Sequence, residues 1–311
     1  MSGLVTVGET LALVSAGPLA HATTAGVGIG GAESNVAIGV RRLGAPATWI
    51  GRVGRDSLGS RVLRELRAED VTVLAQADET APTALMVKET TSPGRARVWY
   101  YRDGSAGSRL RPEDLPAAAL AAADVLHLTG ITPGLSDTAR AATHAALDLA
   151  GARTVVAFDV NHRARVWGDR DAAAVYRDLA ARADVVFAGE DEARLLTGTP
   201  TTDPYALLAE LAETTAGDVV LKRGAAGCVA RLAATTYDVP AVPVPVVDTV
   251  GAGDAFVAGY LAELLGGRPP EERLRTAVRC GAFACLAPGD WEGLPSRPDL
   301  DTLDHSDPVV R

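Results

Sequence analysis

The stretch Asp248-Thr249-Val250-Gly251-Ala252-Gly253-Asp254 constrains this 311-residue chain more than any other. The apolar run Val242 to Val247 leads into it and reads as a strand. Behind it, Ala255, Phe256, Val257, Tyr260, Leu261 and Leu264 recur at helical spacing until Gly266-Gly267. A glycine-rich turn thus opens a helix, where the first N–H groups lack intrahelical partners and the dipole favours negative charge. Gly251 and Gly253 let the backbone approach an anion with no Cβ in the way. Asp254 would repel a phosphate there, unless it serves the group that attacks the phosphate. In phosphoryl transfer an aspartate accepts the proton of the attacking hydroxyl. The helix terminus is expected to keep Asp254 ionised, as a base requires. On these residues alone, Asp248 and Asp254 could instead cap an ordinary strand-to-helix turn. No Gly-Lys-Ser/Thr follows, so the stretch is not a Walker loop.

The rest of the chain alternates strand and helix. Strands are expected at 4–7, 124–129, 154–160, 184–187, 218–222 and 227–231, and helices at 135–150, 170–182, 203–215 and 270–286. This alternation predicts an α/β fold with a central, mainly parallel sheet covered on both faces. Ligands of such sheets lie outside the carboxyl ends of the strands. Asp159 and Asn161 end one strand, Lys222-Arg223-Gly224 follow another, and Gly251 to Asp254 follow a third. A hydrophobic fraction of 47% supplies a large core, read here as one domain over 1–311.

Two segments fall outside the alternation. Residues 11–30 are glycine-rich and suit edge strands of a small flap. Residues 83–89 and 96–102 alternate like a hairpin joined by Thr90-Thr91-Ser92-Pro93-Gly94. Together, strands from about 11–30 and 82–103 predict a small β-sheet lid. Tyr100 and Arg102 are two apart and share one face of their strand. On a lid floor this pair suits a carboxylate, with solvent-facing Arg and packing Tyr as the alternative. Gly26 to Gly31 matches G-x-G-x-x-G, but its lead-in is poor strand and no acidic residue follows at dinucleotide-site spacing. Asp56 is expected to cap the helix carrying Val62, Leu63 and Leu66.

Several function classes recede on composition. The net charge of −9 argues against nucleic acid and anionic membranes as main partners. The N-terminus lacks a secretory pattern, and no window of membrane-spanning length is free of charge and turn residues. Cys228, Cys280 and Cys285 read as reduced structural thiols of a cytoplasmic protein. Residues after Pro295 read as a peripheral tail.

Asp248 to Asp254, followed by Ala255-Phe256, resembles the signature of the ribokinase-like (PfkB) family of sugar kinases. Gly31 and Asn35 match that family's Gly-Gly-x-x-x-Asn element, and Gly51 to Gly59 match its G-x-V-G-x-D-x-x-G turn. Phe158 to Trp167 and Tyr100 to Ser108 resemble the 2-keto-3-deoxygluconate kinase branch, as do His127 to Ile131 and Gly289 to Gly293. The resemblance runs from Gly8-Glu9 to about Pro295.

It implies ATP-dependent phosphorylation of a sugar acid at a terminal hydroxyl, with Mg²⁺ and, as is common in the family, a monovalent cation. It implies Asp254 as base, with Gly251, Ala252 and Gly253 as the anion hole. By it, Gly31, Asn35, Tyr100, Arg102, Arg163 and Asp290 bind substrate, with Arg102 and Arg163 on the carboxylate. Asn161, Lys222, Gly224 and Gly227 serve ATP. Glu192 is the remnant of a metal-ordering N-x-x-E element whose first position is Gly189. Met86 and Val278 also depart from the family pattern. A neutral-sugar kinase, or a sugar-acid-binding regulator without catalysis, is the alternative. The oligomeric state is left open, although an exposed lid sheet could pair between subunits.

Overall fold

The computed structural model describes residues 3–92 and 95–304. Thirteen strands are described: β1 (Leu4–Val7), β2 (Leu11–Ala16), β3 (Gly26–Gly30), β4 (Ala47–Gly54), β5 (Thr72–Asp78), β6 (Leu85–Ser92), β7 (Arg95–Tyr101), β8 (Val125–Thr129), β9 (Val155–Asp159), β10 (Val185–Gly189), β11 (Asp218–Lys222), β12 (Cys228–Leu232) and β13 (Thr235–Val239). Nine form one sheet, in the order β13-β12-β11-β10-β9-β8-β1-β4-β5. Its pairings are parallel from β5 to β11, and only the β11–β12 and β12–β13 pairings are antiparallel.

Successive residues of the parallel strands alternate between two cores, as a period of two requires. Leu4, Trp49 and Phe187 face one side, packed with the helices Ala32–Arg42, Ala252–Leu265 and Pro270–Ala284. Val5, Ile50, Phe158 and Val186 face the other, with helices Asp137–Leu149, Ala172–Ala181 and Pro204–Ala212. Helices on both faces bury the central strands, which explains their Val- and Leu-rich sequences, while the edge strands β5 and β13 stay partly exposed.

The second sheet has the order β3-β2-β6-β7, with β2 and β6 parallel and the outer pairs antiparallel. It is the small sheet expected from the alternating segments, although Pro93 and Gly94 of the expected turn lie outside the described residues. Asp56 caps Ser57–Ala68 as expected, accepting the Gly59 N–H at 2.7 Å.

Two expectations fail. The run Val242 to Val247 is not a strand: β13 stops at Val239, and Val246 and Val247 are exposed. Pro240, Pro243 and Pro245 have no N–H to donate to a ladder, so the apolar pattern is an extended connection. Nor is the stretch after Pro295 merely peripheral. Leu300 is buried in the core, and Arg297 ion-pairs with Glu263 while donating to the Leu43 carbonyl. Residues 305–311 lie outside the described residues.

Candidate active site

The parallel strands deliver their carboxyl ends to one edge, and the small sheet lies over it. Between them is a cavity of about 660 Å³. Among the residues predicted for the site, Gly31, Asn35, Tyr100, Arg102, Asn161, Arg163, Glu192, Lys222, Gly224, Gly251, Gly253, Asp254 and Asp290 line it. Ala252 and Gly227 do not. Gly227 has φ of 85° and stands against the Val239 carbonyl, so it shapes the turn between β11 and β12. Val278 is buried in the core and does not reach the cavity lining.

Asp254 is placed by the packing of two helices. A Cβ on Gly39 would lie 2.6 Å from the Ala258 Cβ, so glycine lets the helices Ala32–Arg42 and Ala252–Leu265 approach closely. Asn35 is four residues before Gly39, and Asp254 four before Ala258. Both therefore project from the same helix faces one turn nearer the N-termini. Asn35 Nδ2 donates to Asp254 Oδ2 at 2.8 Å. Asn161 Nδ2 donates to Asp254 Oδ1 at 3.2 Å, from a backbone with φ of 38° just past β9. Asn161, assigned above to ATP, is thus a direct partner of Asp254.

The expectation that the helix terminus fixes the ionisation of Asp254 needs correction. Burial raises its pKa, and the two amides, Arg163 and Lys222 only partly offset that. The carboxyl is oriented by two donors and held in a medium that strengthens its basicity.

Gly251 opens the helix in the left-handed region, φ 76°, where a side chain would also strike the Asp290 carbonyl. Lys222 flanks this turn: its Nζ would lie 4.0 Å from a Cβ on Gly253. Lys222 Nζ also meets Asp159 Oδ1 at 2.6 Å. Burial works against the ammonium, but Asp159, Glu192 and Asp254 together raise its pKa, so it stays charged. A cation and bare amides at a helix start suit a phosphate.

Two guanidiniums also line the cavity, in different states. Arg102 donates Nε–H and Nη2–H to Glu9 Oε2, at 2.9 and 2.6 Å, with its charge 5.5 Å from the Tyr100 ring centre. Ser105 Oγ donates to the other Glu9 oxygen at 2.6 Å. Arg163 bonds only to the His162 carbonyl, at 3.0 Å, and no carboxylate pairs with it among the described residues. Asp290 is pushed up to about 7 by burial and then by the Asp254 charge. Near neutral pH it can therefore either donate or accept a hydrogen bond.

Sequence reasoning missed three cavity groups. Glu9, named above only where the family resemblance begins, orients Arg102. Glu33, raised to about 7 by burial, accepts from the Thr129 and Thr132 hydroxyls, each at 2.7 Å. Lys88 lies two residues after Met86 on the same inward face of β6, and that spacing was the available signal.

The large parallel sheet, the small sheet over its carboxyl edge and this cavity define a ribokinase-like α/β protein. The description "pfkB family carbohydrate kinase" matches residues 1–297, and the chain belongs to that family of enzymes. It is 37% identical over 305 residues to a 2-dehydro-3-deoxygluconokinase of Bacillus subtilis strain 168, covering 95% of this chain and 93% of the relative. It is 36% identical over 311 residues to one of Thermoproteus tenax, covering 97% and 94%. Among solved structures, one from E. coli, named Ribokinase II in complex with ATP and Mg²⁺, superposes with a TM-score of 0.88 at 25% identity, covering 98% of this chain and 99% of the other.

Proposed function

We propose that the protein transfers the γ-phosphoryl group of ATP to the terminal hydroxyl of 2-keto-3-deoxygluconate (2-dehydro-3-deoxygluconate), giving the 6-phosphate. One observation carries this reading. A single cavity holds an amide-clamped carboxylate, bare backbone amides at a helix start, an ammonium and two guanidiniums, with Arg163 and Lys222 both acting on the carboxylate. The near full-length likeness to two 2-dehydro-3-deoxygluconokinases supports the choice of sugar acid.

The roles follow from chemistry. Arg163 and Arg102 hold the substrate carboxylate, with Tyr100, Gly31, Asn35 and Asp290 engaging other oxygens. The terminal hydroxyl then lies at Asp254, which takes its proton as the oxygen attacks the γ-phosphorus and the bond to ADP breaks. The amides of Gly251 and Gly253 and the Lys222 ammonium stabilise the charge that builds on the phosphoryl oxygens, while the Ala252 N–H is taken up by the Thr249 carbonyl at 3.3 Å. Asn161 steadies Asp254, while Lys222, Gly224 and the turn ending at Gly227 lie along ATP. Covering the cavity with the small sheet excludes water and disfavours hydrolysis.

Among the described residues no cluster of three or more His, Cys, Asp or Glu side chains could hold a metal ion. Glu192 is fixed at the cavity edge, accepting the His162 N–H at 2.8 Å and the Gly189 N–H at 2.6 Å. That fits Mg²⁺ arriving with the nucleotide and keeping most of its waters, with Glu192 beyond them. When bound, Mg²⁺ neutralises phosphate charge. A monovalent cation is left to a KCl titration. ATP as co-substrate points to the cytoplasm.

ADP release across a panel of sugar acids and neutral sugars tests the reading. The expected result is a kcat/KM for 2-keto-3-deoxygluconate at least 100-fold above those for fructose and ribose, from charge-assisted hydrogen bonds of about 1.5–3 kcal/mol each. Preference for a neutral sugar overturns the substrate, and tight binding without ADP overturns the catalysis. The acid limb of kcat/KM is a further prediction. Asp254 must be deprotonated to act, and burial raises its pKa. Activity should therefore be full above that raised value and fall away below it, at a pH above the ordinary aspartate range. A pH–rate profile with an ordinary aspartate limb would remove Asp254 from the base role.

A further inference from the structure

The chain carries 30 basic Lys and Arg side chains, and only two, Lys88 and Lys222, are lysines. Both line the one cavity, and both meet an aspartate. Everywhere else the chain meets its need for such a cation with arginine. At these two seats it keeps the compact, rotatable ammonium instead of the planar fork. Lys222 belongs to the phosphate end already described, whereas Lys88 has no role there.

Lys88 stands on β6 of the small sheet and reaches down to Asp248, with Nζ 2.5 Å from Oδ2 and side chains 9% and 18% exposed. Asp248 begins the glycine turn. Its Oδ1 accepts the Val250 N–H at 3.1 Å, and Oδ2 lies 3.5 Å from the Gly289 N–H. One carboxylate thus joins the covering sheet, the turn that presents the phosphate-facing amides, and the segment leading to Asp290. The covering sheet touches that segment again, where Trp291 Nε1 donates to the Ile29 carbonyl on β3 at 3.1 Å. Burial disfavours the Asp248 charge, but Lys88 and these backbone donors hold its pKa below the usual carboxylate range, so the contact is a full ion pair.

We propose that Lys88 is a positioning residue: through Asp248 it makes the geometry of the glycine turn depend on the covering sheet being seated. The sheet rests on the sugar through Met86, Tyr100 and Arg102, all on the cavity side. When it is seated, the Lys88 ammonium fixes Asp248, and Asp248 fixes the Val250 amide. The next amides then point at the phosphoryl position. When it is raised, Asp248 loses its buried counter-charge and the turn loses its brace. Phosphoryl transfer is thereby tied to the presence of sugar, beyond what water exclusion alone achieves. The inference rests on the kinase reading above and concerns how that site is assembled.

The test compares Lys88→Met, Lys88→Arg, Asp248→Asn and the Lys88→Met/Asp248→Asn double variant in steady-state assays with ATP and 2-keto-3-deoxygluconate. Lys88→Met is expected to lower kcat about 100-fold, within the range that misplacing a positioned group costs. KM for ATP should stay within about threefold, since Lys88 does not reach the nucleotide turn. Lys88→Arg should recover part of the rate. The double variant should be no worse than the poorer single one, because both substitutions break one contact.

Losses that multiply in the double variant overturn the proposal. So does a rise in KM for the sugar acid at unchanged kcat, which would make Lys88 a direct ligand of the carboxylate. Amide hydrogen exchange of the peptide spanning 249–253 provides an arm independent of turnover. Adding 2-keto-3-deoxygluconate without ATP should slow its exchange in the unaltered protein and not in Lys88→Met. Equal slowing in both would overturn the proposal, and thermal melts identify any variant that is unfolded. If the unaltered protein phosphorylates no sugar acid, the kinase reading has failed. If it is active and Lys88→Met matches it, only the brace has failed.

Discussion

Replacing Asp254 with asparagine should lower turnover by about three orders of magnitude, the middle of the range that a positioned base contributes. The effect should be nearly pure in kcat. Asparagine preserves the shape of the side chain but has one acceptor oxygen, so one of the Asn35 and Asn161 amides must turn its own oxygen toward the new NH2, while the helix contact through Gly39 and Ala258 is undisturbed. What it cannot do is accept the hydroxyl proton. Loss of a buried charge whose pKa is already raised by burial should leave stability unchanged or slightly improved. Equilibrium binding of ATP alongside single-turnover phosphorylation checks this. Unchanged turnover would remove the assignment at its centre, whereas loss of ATP binding would make Asp254 part of the nucleotide site.

The second large effect separates the two arginines. Arg163→Ala should raise KM for the sugar acid about 10- to 100-fold and leave neutral sugars and thermal stability alone, because its guanidinium holds no buried partner. Arg102→Ala should do more. It leaves Glu9, whose side chain is 1% exposed, without its counter-charge. Removing one partner of a buried ion pair costs about 3–5 kcal/mol. Thermal stability should fall together with sugar-acid affinity. Adding Glu9→Gln should then restore the melting temperature without restoring the affinity. If Arg102→Ala melts like the parent protein, Glu9 and Arg102 are not the buried pair described above.

How legible this was depends on how local each signal is. The parallel sheet was readable because the apolar strands and intervening helical patterns each announce themselves within a dozen residues. Asp254 was readable because glycine, glycine and aspartate crowd one helix start. The strand expected at Val242 to Val247 failed for an equally local reason: the apolar residues were weighed and the prolines between them were not. The roles of Glu9 and Lys88 were not legible. Their partners, Arg102 and Asp248, lie 93 and 160 positions away, and single-sequence periodicity says nothing about who meets whom across the fold. The raised pKa of Asp254 was missed for the same reason. The helix dipole is a property of its own segment, while the burial that outweighs it comes from the whole assembled cavity.

The scarcity of ε-amines has a practical side. With side chains 9% and 16% exposed and facing the same cavity, Lys88 and Lys222 leave the protein's exterior with no lysine to offer an electrophile. Acylating or reductive-alkylating reagents that normally coat a protein through its lysines would find no ε-amine outside the cavity. A lysine adduct would then record an empty, open chamber, and its suppression by an added compound would act as an occupancy gauge requiring neither turnover nor a chromophore.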